Sequence, residues 1–218
     1  LDRLLSIAAD LIAARIELGQ AIDQLPKEKQ RALAESFRAG ERLIAELQVE
    51  LMQARMVPIG NLFERFDRRA TELGQSRGKP VALLIEGADV AADTALVDQL
   101  RDPILHLLRN SVDHGIEPAE VRRARGKPAH GVLRLAARQL PDGVEVVFED
   151  DGGGLDRQRI MESTRRRGKA LPDDAPDALV WEQIFEPGLT TATVVSDLSG
   201  RGVGMDVVCR SVATLRGT

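Results

Sequence analysis

Apolar residues recur along the first fifty residues with heptad spacing. Leu4, Ile7, Leu11, Ala14, Leu18, Ala21 and Leu25 fill a and d positions, and Leu5, Ala8, Ile12 and Ile22 widen the stripe. Pro26 breaks the pattern, and a second heptad runs through Phe37, Gly40, Ile44, Leu47, Leu51 and Ala54. Two helices joined so closely form an antiparallel hairpin. Its stripe is wider than one partner helix covers. Two hairpins pairing into a four-helix bundle, a homodimer, would bury it; packing against the rest of the same chain is the alternative. Pro58 interrupts the second pattern, so the boundary falls there: a helical-hairpin module over residues 1–57 and a second domain over 58–218.

In the second domain, Asn61 is placed to cap a helix bearing Leu62, Phe63, Phe66 and Leu73 and ending at Gly74. GQSRGKP (74–80) reads as a loop. From Val81 the period shortens: VALLIEG is a strand, and Asp93 can cap the helix that follows. Residues 117–126 form a short helix stopped by Gly126-Lys127-Pro128. VLRLAARQ (132–139) and VEVVFED (144–150) flank Pro141-Asp142-Gly143, a β-hairpin signature. A helix over 156–168 comes next. Residues 169–200 are mostly loop, with an amphipathic piece around Trp181, Ile184 and Phe185, before a helix over 204–215. Helices mixed with strands that include a hairpin predict an α+β protein, its second domain an α/β layer structure rather than an all-parallel sheet.

One helix breaks the usual partition of polar and apolar positions. In LRDPILHLLRNSVDHG (100–115), Ile104, Leu105, Leu108 and Val112 form an apolar stripe, while His106, Asn110 and Asp113 follow i, i+4, i+7 on another face. Arg109 and His114 stand beside them. An imidazole, a carboxamide and a carboxylate in line suit a cation and a polyanion held together, as in ATP with magnesium.

Composition narrows the classes without choosing among them. The chain has 218 residues, a net charge of −4, a single Trp and no Tyr. No basic field advertises nucleic acid or an anionic membrane. No apolar run approaches the ~20 residues of a membrane span, and no signal peptide is expected at the start. Cys209 is the only cysteine, so no internal disulfide forms and a reducing compartment is expected. The chain begins and ends inside amphipathic patterns, as a fragment would.

Two glycine-rich motifs carry candidate chemistry. Asp150-Asp151-Gly152-Gly153-Gly154 ends a strand with D-x-G-x-G. Its carboxylate can accept from an exocyclic amine such as that of adenine, and its glycines let backbone approach a ligand. Ser199-Gly200-Arg201-Gly202-Val203-Gly204 leads into a helix, whose free N–H groups favour phosphate. Each motif alone is equally at home in an ordinary turn or helix entry. A Walker loop is excluded, since Gly74 to Lys79 is one residue short and Pro80 follows. G-x-G-x-x-G fails at Met205.

The order of these motifs is more specific than any one of them. It resembles the ATP-binding domain shared by histidine kinases, gyrase-type topoisomerases, Hsp90 and MutL. HLLRNSVDHGIE (106–117), EDDGGGLD (149–156), FEPGLTT (185–191) and SDLSGRGVGMDVV (196–208) are similar to the chemotaxis-type sensor histidine kinases, the CheA family. ARMVPIGNLFERF (54–66) resembles that family's join between dimerisation and kinase domains, and LDRLLSIAADLIAARIEL resembles the start of its dimerisation hairpin. The resemblance covers essentially the whole chain. It implies a dimerisation hairpin followed by a two-layer α/β sandwich of the histidine kinase/gyrase/Hsp90/MutL type. Departures are Leu189, where the family usually has Phe, and an end at Thr218, ahead of the last strands of that sandwich and of a regulatory domain.

Roles follow from the resemblance position by position. Asn110 would coordinate Mg²⁺ bridging the ATP phosphates. His106 would assist phosphoryl transfer or position the phosphate. Arg109, Asp113 and His114 would line the phosphate and ribose side. Asp150 would read the adenine amine, with Gly152 and Gly154 giving it room. Ser199, Gly200, Arg201, Gly202, Val203, Gly204 and Met205 would wrap the phosphates, and Thr190 and Thr191 would belong to a lid.

The histidines constrain the substrate. There are three: His106, His114 and His130. The first two belong to the presumed ATP site, the third reads as a solvated loop residue, and residues 1–55 have none. The resemblance therefore implies a cytoplasmic two-component histidine kinase, recruited to membrane receptor arrays, whose phospho-acceptor histidine lies on a separate domain. A response regulator, a receptor and a coupling protein would engage regions outside this chain. A clamp-type ATPase of the same superfamily and a catalytically inactive dimeric scaffold are the alternatives. Cys209 reads as a buried small residue, Trp181 as packing for the lid helix, and Arg122-Arg123-Ala124-Arg125 and Arg165-Arg166-Arg167 as solvated helix faces.

Overall fold

The computed structural model describes residues 1–169, 171–186 and 205–218. The chain divides into two compact units: Leu1–Val57 with Ala92–Thr94, and Pro58–Ala91 with Ala95–Thr218.

In the first unit α1 (Asp2–Asp23) and α2 (Lys27–Gln53) pack side by side. Pro26 turns the chain in an extended conformation (φ −55°, ψ 144°). The Gln30 side-chain amide donates to the carbonyls of Asp23 and Leu25, both at 2.8 Å, and ties the connection down. Gly19 admits the Phe37 ring, since a Cβ there would stand 3.1 Å from Phe37 Cζ. Within this hairpin Leu4, Ile7, Leu11, Leu18 and Leu47 of the heptads remain exposed. Strand β1 (Met56–Pro58) pairs with β3 (Ala91–Asp93). Three-residue strands are too short to show alternation, and the sequence pattern does not reveal them. Arg55 donates to Asp93 at 2.7 Å, and the Thr94 hydroxyl to the Arg55 carbonyl at 2.7 Å.

The second unit layers helices on a mixed sheet ordered β2-β4-β5: β2 (Val81–Glu86), β4 (Gly131–Leu140) and β5 (Gly143–Asp150). β2 runs parallel to β4, with Val81 opposite Gly131. β4 and β5 form the expected hairpin, with Leu133 opposite Asp150. A parallel pair needs a crossover, and this one carries α4 (Thr94–Asn110), a π turn (Ser111–Gly115) and α5 (Ala119–Ala124). The side-chain period of two puts Val81, Leu83, Ile85, Leu133, Leu135, Ala137, Val144, Val146 and Phe148 toward the helices. There they meet Leu62, Phe63, Phe66 and Ala70 of α3 (Gly60–Ser76) and Ile104 and Leu108 of α4. On the opposite face Arg134 donates to Glu86 (2.7 and 3.0 Å) and Glu149 (2.7 Å), bridging all three strands. A smaller core gathers Ile160 and Met161 of α6 (Arg157–Arg166), Ala175, and Val180 of α7 (Asp177–Glu182), with Trp181 and Ile184 against it.

Several local expectations change. Helix α3 begins at Gly60, two residues earlier than a cap at Asn61 would place it. Ile59 holds the N-cap without a side-chain bond. The chain at 88–90 does the capping instead, because the amides of Ile59 and Gly60 donate to the carbonyls of Val90 and Ala88, both at 2.9 Å. The helix also runs past Gly74. That glycine is buried for close approach, as a Cβ would stand 2.6 Å from the Lys79 carbonyl oxygen. Gly78, at φ +65°, ends it instead. Cys209, on α8 (Asp206–Thr214), is exposed rather than buried, and Asp206 takes the inward position. Arg122, expected on a solvated face, is buried.

Phe63 lies at the centre of the larger core and is fully buried. Phe63→Ala should cost about 3–5 kcal/mol, transfer and cavity terms together. In urea denaturation that appears as a lower midpoint at unchanged slope; a midpoint within error of the parent would contradict this packing.

Candidate nucleotide-binding site

Helix α4 delivers the polar residues singled out in the sequence, but it does not continue as an α-helix to Gly115. After Asn110 it widens into the π turn Ser111–Gly115. Such turns are rare and gather at functional sites. The extra residue takes Asp113 off the i, i+4, i+7 line. Its carboxylate accepts from Arg77 Nε at 2.7 Å instead. Lys79 Nζ donates to the carbonyls of Val112 and Asp113, both at 2.9 Å, and so supplies partners that a regular ladder would have supplied. Burial pushes the Lys79 ammonium down and Arg77 adds to this; Asp113 opposes it, but the net shift is downward.

The π turn meets the end of β5. Ser111 Oγ donates to Asp150 Oδ2 at 2.7 Å, and the Gly152 amide donates to Asp150 Oδ1 at 3.0 Å. The Gly153 amide donates to the Gly115 carbonyl at 2.9 Å. The approach is close enough to exclude side chains: a Cβ on Gly152 would stand 2.3 Å from the Gly115 carbonyl oxygen. Gly154 has φ +75° and open space around it. Asp150 is thus held by two donors while its residue remains exposed, and the outward lone pairs of its carboxylate can accept from a ligand amine.

At the other end of the π turn, Asn110 Nδ2 donates to Met205 Sδ at 3.2 Å. That leaves the carboxamide oxygen as the group for a hard cation. One helical turn earlier, His106 Nε2 is buried without a partner among the described residues, and Asp206 Oδ1 is in the same state. Burial and the Arg109 charge lower the His106 pKa from 6.5, against the opposing pull of Asp206, and the net shift favours the neutral imidazole. Unpartnered buried polar atoms are costly in a finished core, and they fit a face completed by a polar ligand. Arg109 and His114 are exposed on the same segment. Thr190, Thr191, Ser199, Gly200, Arg201, Gly202, Val203 and Gly204, with Leu189, lie outside the described residues. No group of three or more His, Cys, Asp and Glu among the described residues could hold a metal; a carboxamide ligand such as Asn110 is not of that kind.

Sequence reasoning missed what stands behind Asp150. Arg122 donates to Glu117 Oε2 (3.1 Å), to Asp151 Oδ2 (2.7 Å), and to the carbonyls of Asp151 (3.2 Å) and Pro128 (2.8 Å). Lys127 Nζ donates to the carbonyls of Asp151 and Gly152, both at 2.8 Å, and to Glu117 Oε1 at 3.2 Å. Burial pushes the Glu117 carboxyl up, but a backbone hydrogen bond, Lys127 and Arg122 outweigh it and hold it at about 2. The doubled Asp150-Asp151 was the available signal: one carboxylate is held by Ser111 and the other by Arg122.

Comparison with known proteins adds the following. Residues 96–218 match the family model described as histidine kinase-, DNA gyrase B- and HSP90-like ATPase, and residues 1–54 that of the signal transducing histidine kinase homodimeric domain. The chain is 38% identical over 221 residues to the chemotaxis protein CheA of Bacillus subtilis (strain 168), covering 100% of this chain and 32% of that protein. It is 41% identical over 175 residues to the sensor histidine kinase CheAY of Helicobacter pylori (strain ATCC 700392 / 26695), covering 79% and 22%. With the gliding motility regulatory protein of Myxococcus xanthus it shares 36% over 230 residues, covering 100% and 30%. The chain thus spans about a third or less of the length of these relatives. The histidine kinase domain of the blue-light activated histidine kinase EL346 of Erythrobacter litoralis aligns at 18% identity with TM-score 0.34, covering 72% of this chain and 76% of that one.

The depressed Glu117 pKa fixes a sign. Stability from this group is complete above 4.5, its ordinary value, and is lost as pH falls toward about 2. Glu117→Gln should therefore flatten the dependence of thermal midpoint on pH across that window. A slope equal to the parent's would show that the cluster does not hold Glu117 ionised.

Proposed function

We infer that this chain, which belongs to the histidine kinase-, DNA gyrase B- and HSP90-like ATPase family, falls in a chemotaxis-type histidine kinase branch of it. From that premise we propose that it is the dimeric core of an ATP-dependent protein histidine kinase, which passes the γ-phosphoryl group of ATP to a histidine on a separate domain. The observation that carries this reading is the Asp150 carboxylate, held by Ser111 and Gly152 at the mouth of a π turn whose other end presents Asn110.

In this reading Asp150 accepts from the adenine amine, and Gly152 keeps the backbone close without a side chain in the way. Asn110 holds Mg²⁺, which when bound offsets phosphate charge. His106 faces the phosphates as a neutral imidazole and either positions the terminal phosphate or takes the proton of the incoming nucleophile. Arg109 and His114 line the phosphate and ribose side with Asp113, whose carboxylate is shared with Arg77. Ser199 to Met205 wrap the phosphates, and Thr190 and Thr191 belong to the lid. The incoming histidine nitrogen attacks in line, the bond to the β–γ bridging oxygen breaks, and ADP leaves.

The domain division at Val57 and Pro58 assigns dimerisation to the first unit and catalysis to the second. Leu4, Ile7, Leu11 and Leu18 are exposed on the hairpin and are the surface on which two copies pair into four helices. The acceptor histidine, the response regulator, the receptor and the coupling protein act through regions of the longer protein. A cytoplasmic setting at receptor arrays accompanies this function. No helix among the described residues is long and apolar enough to cross a membrane.

Three experiments test the proposal. Incubation with labelled ATP and a separate histidine-bearing domain should phosphorylate that domain. Asn110→Asp should abolish the transfer and Asp150→Ala should remove nucleotide affinity in calorimetry. Release of free phosphate with no phosphorylated protein would support a clamp ATPase instead, and no turnover at all would leave a scaffold. Leu11→Asp should convert the dimer to a monomer in sedimentation analysis; a monomeric parent chain would contradict the dimer.

A further inference from the structure

Helix α5 buries the costlier of two neighbouring side chains. Val121 is 40% exposed while Arg122, beside it, is 0% exposed. Burying a guanidinium where an aliphatic side chain was at hand is not the stablest packing on offer, so the charge answers to something other than the core. Its N–H groups reach one place above all. Two of its four hydrogen bonds end on Asp151, one on the carboxylate and one on the carbonyl. Lys127 holds the same carbonyl and the next one, at Gly152. The other carboxylate oxygen of Asp151 accepts from the Val132 amide at 2.8 Å, and its own amide donates to the Val132 carbonyl at 3.0 Å. Residue 151 is thereby fixed to β4 on one side and to two cations on the other. Its neighbour Asp150 points the opposite way, toward Ser111 and solvent.

We propose that Arg122 is a positioning residue for nucleobase selection: through Asp151 it locks the direction of the Asp150 carboxylate, and so sets the preference for a base that presents an exocyclic amine over one that presents a carbonyl at the same place. This rests on the assignment of Asp150 to the base. A carboxylate accepts from an amine and repels a carbonyl oxygen, but it discriminates only when it cannot turn away. Three contacts from Arg122 and Lys127 to the carbonyls of 151 and 152 remove that freedom. Arg122 uses its planar fork to engage a carboxylate and a carbonyl at once, and lysine cannot reproduce this.

Calorimetry of the full chain with ATP and with inosine triphosphate, whose base carries a carbonyl in place of the amine, tests the idea. In Arg122→Lys the affinity for ATP should fall roughly tenfold to a hundredfold. Affinity for inosine triphosphate should change little, so their ratio contracts. Amide hydrogen exchange at Gly152 and Gly153 should quicken in the same variant. Asp151→Asn, which keeps the shape and weakens the ion pair, should contract the ratio in the same direction if Arg122→Lys does not fold. A lowered thermal midpoint with an unchanged ratio in the folded variants would make Arg122 a structural residue only and overturn the proposal. Asp150→Asn serves as the reference: if it leaves the ratio at the parent value, the assignment of Asp150 to the base fails instead.

Discussion

The second unit is organised around the bond from the Ser111 hydroxyl to the Asp150 carboxylate. It joins the end of α4 to the end of β5, two segments thirty-nine residues apart in sequence, at the point where α4 loosens into a π turn. The Gly153–Gly115 backbone bond and the absence of side chains at Gly152 and Gly115 let the two segments close to contact. The larger core serves this junction. Val112 and Ile116 anchor the turn among the helices and β4, so the helix–sheet packing and the site geometry are one constraint.

Main-chain carbonyls are the recurrent difficulty, and cationic side chains are the recurrent answer. A π turn and a glycine-rich turn both leave carbonyls outside any regular ladder. Lys79 takes those of Val112 and Asp113, Lys127 those of Asp151 and Gly152, and Arg122 those of Pro128 and Asp151. Glu117, ionised down to a pH of about 2, balances the second group. The chain thus keeps irregular backbone in place with charge rather than with secondary structure.

Periodicity made the helical hairpin, the three longer strands and most helices legible, because a stripe or an alternation over many residues has one inexpensive burial. Asn110 and Asp150 were legible for a different reason: each stands on a face or at a strand end where burial alone would not call for it. Arg122 was not legible. A six-residue helix is too short to show which face is buried, and the Asp151 partner of Arg122 is distant in sequence. The start and end of α3 were misplaced because backbone capping by residues 88–90 and the tight packing at Gly74 leave no mark in local composition. The exposure of Cys209 likewise follows from the orientation that Asp206 takes, which amphipathic reading assigned to the sulfur.

The π turn also determines how the chain tolerates changes in length. An α-helix advances about 100° per residue, and a wider turn absorbs one residue more without carrying that rotation onward. Positions up to Asn110 are therefore counted from α4, while Ile116 and Glu117 are counted from β4, and the turn takes up the mismatch between the two frames. Loss of a single residue inside 111–115 would straighten the helix while keeping every side chain upstream on its face. It would at the same time withdraw Ser111 or its neighbours from β5 and turn Glu117 away from Arg122 and Lys127. Length variation between relatives should accordingly collect in the loops beyond Glu117 and be absent from this five-residue segment.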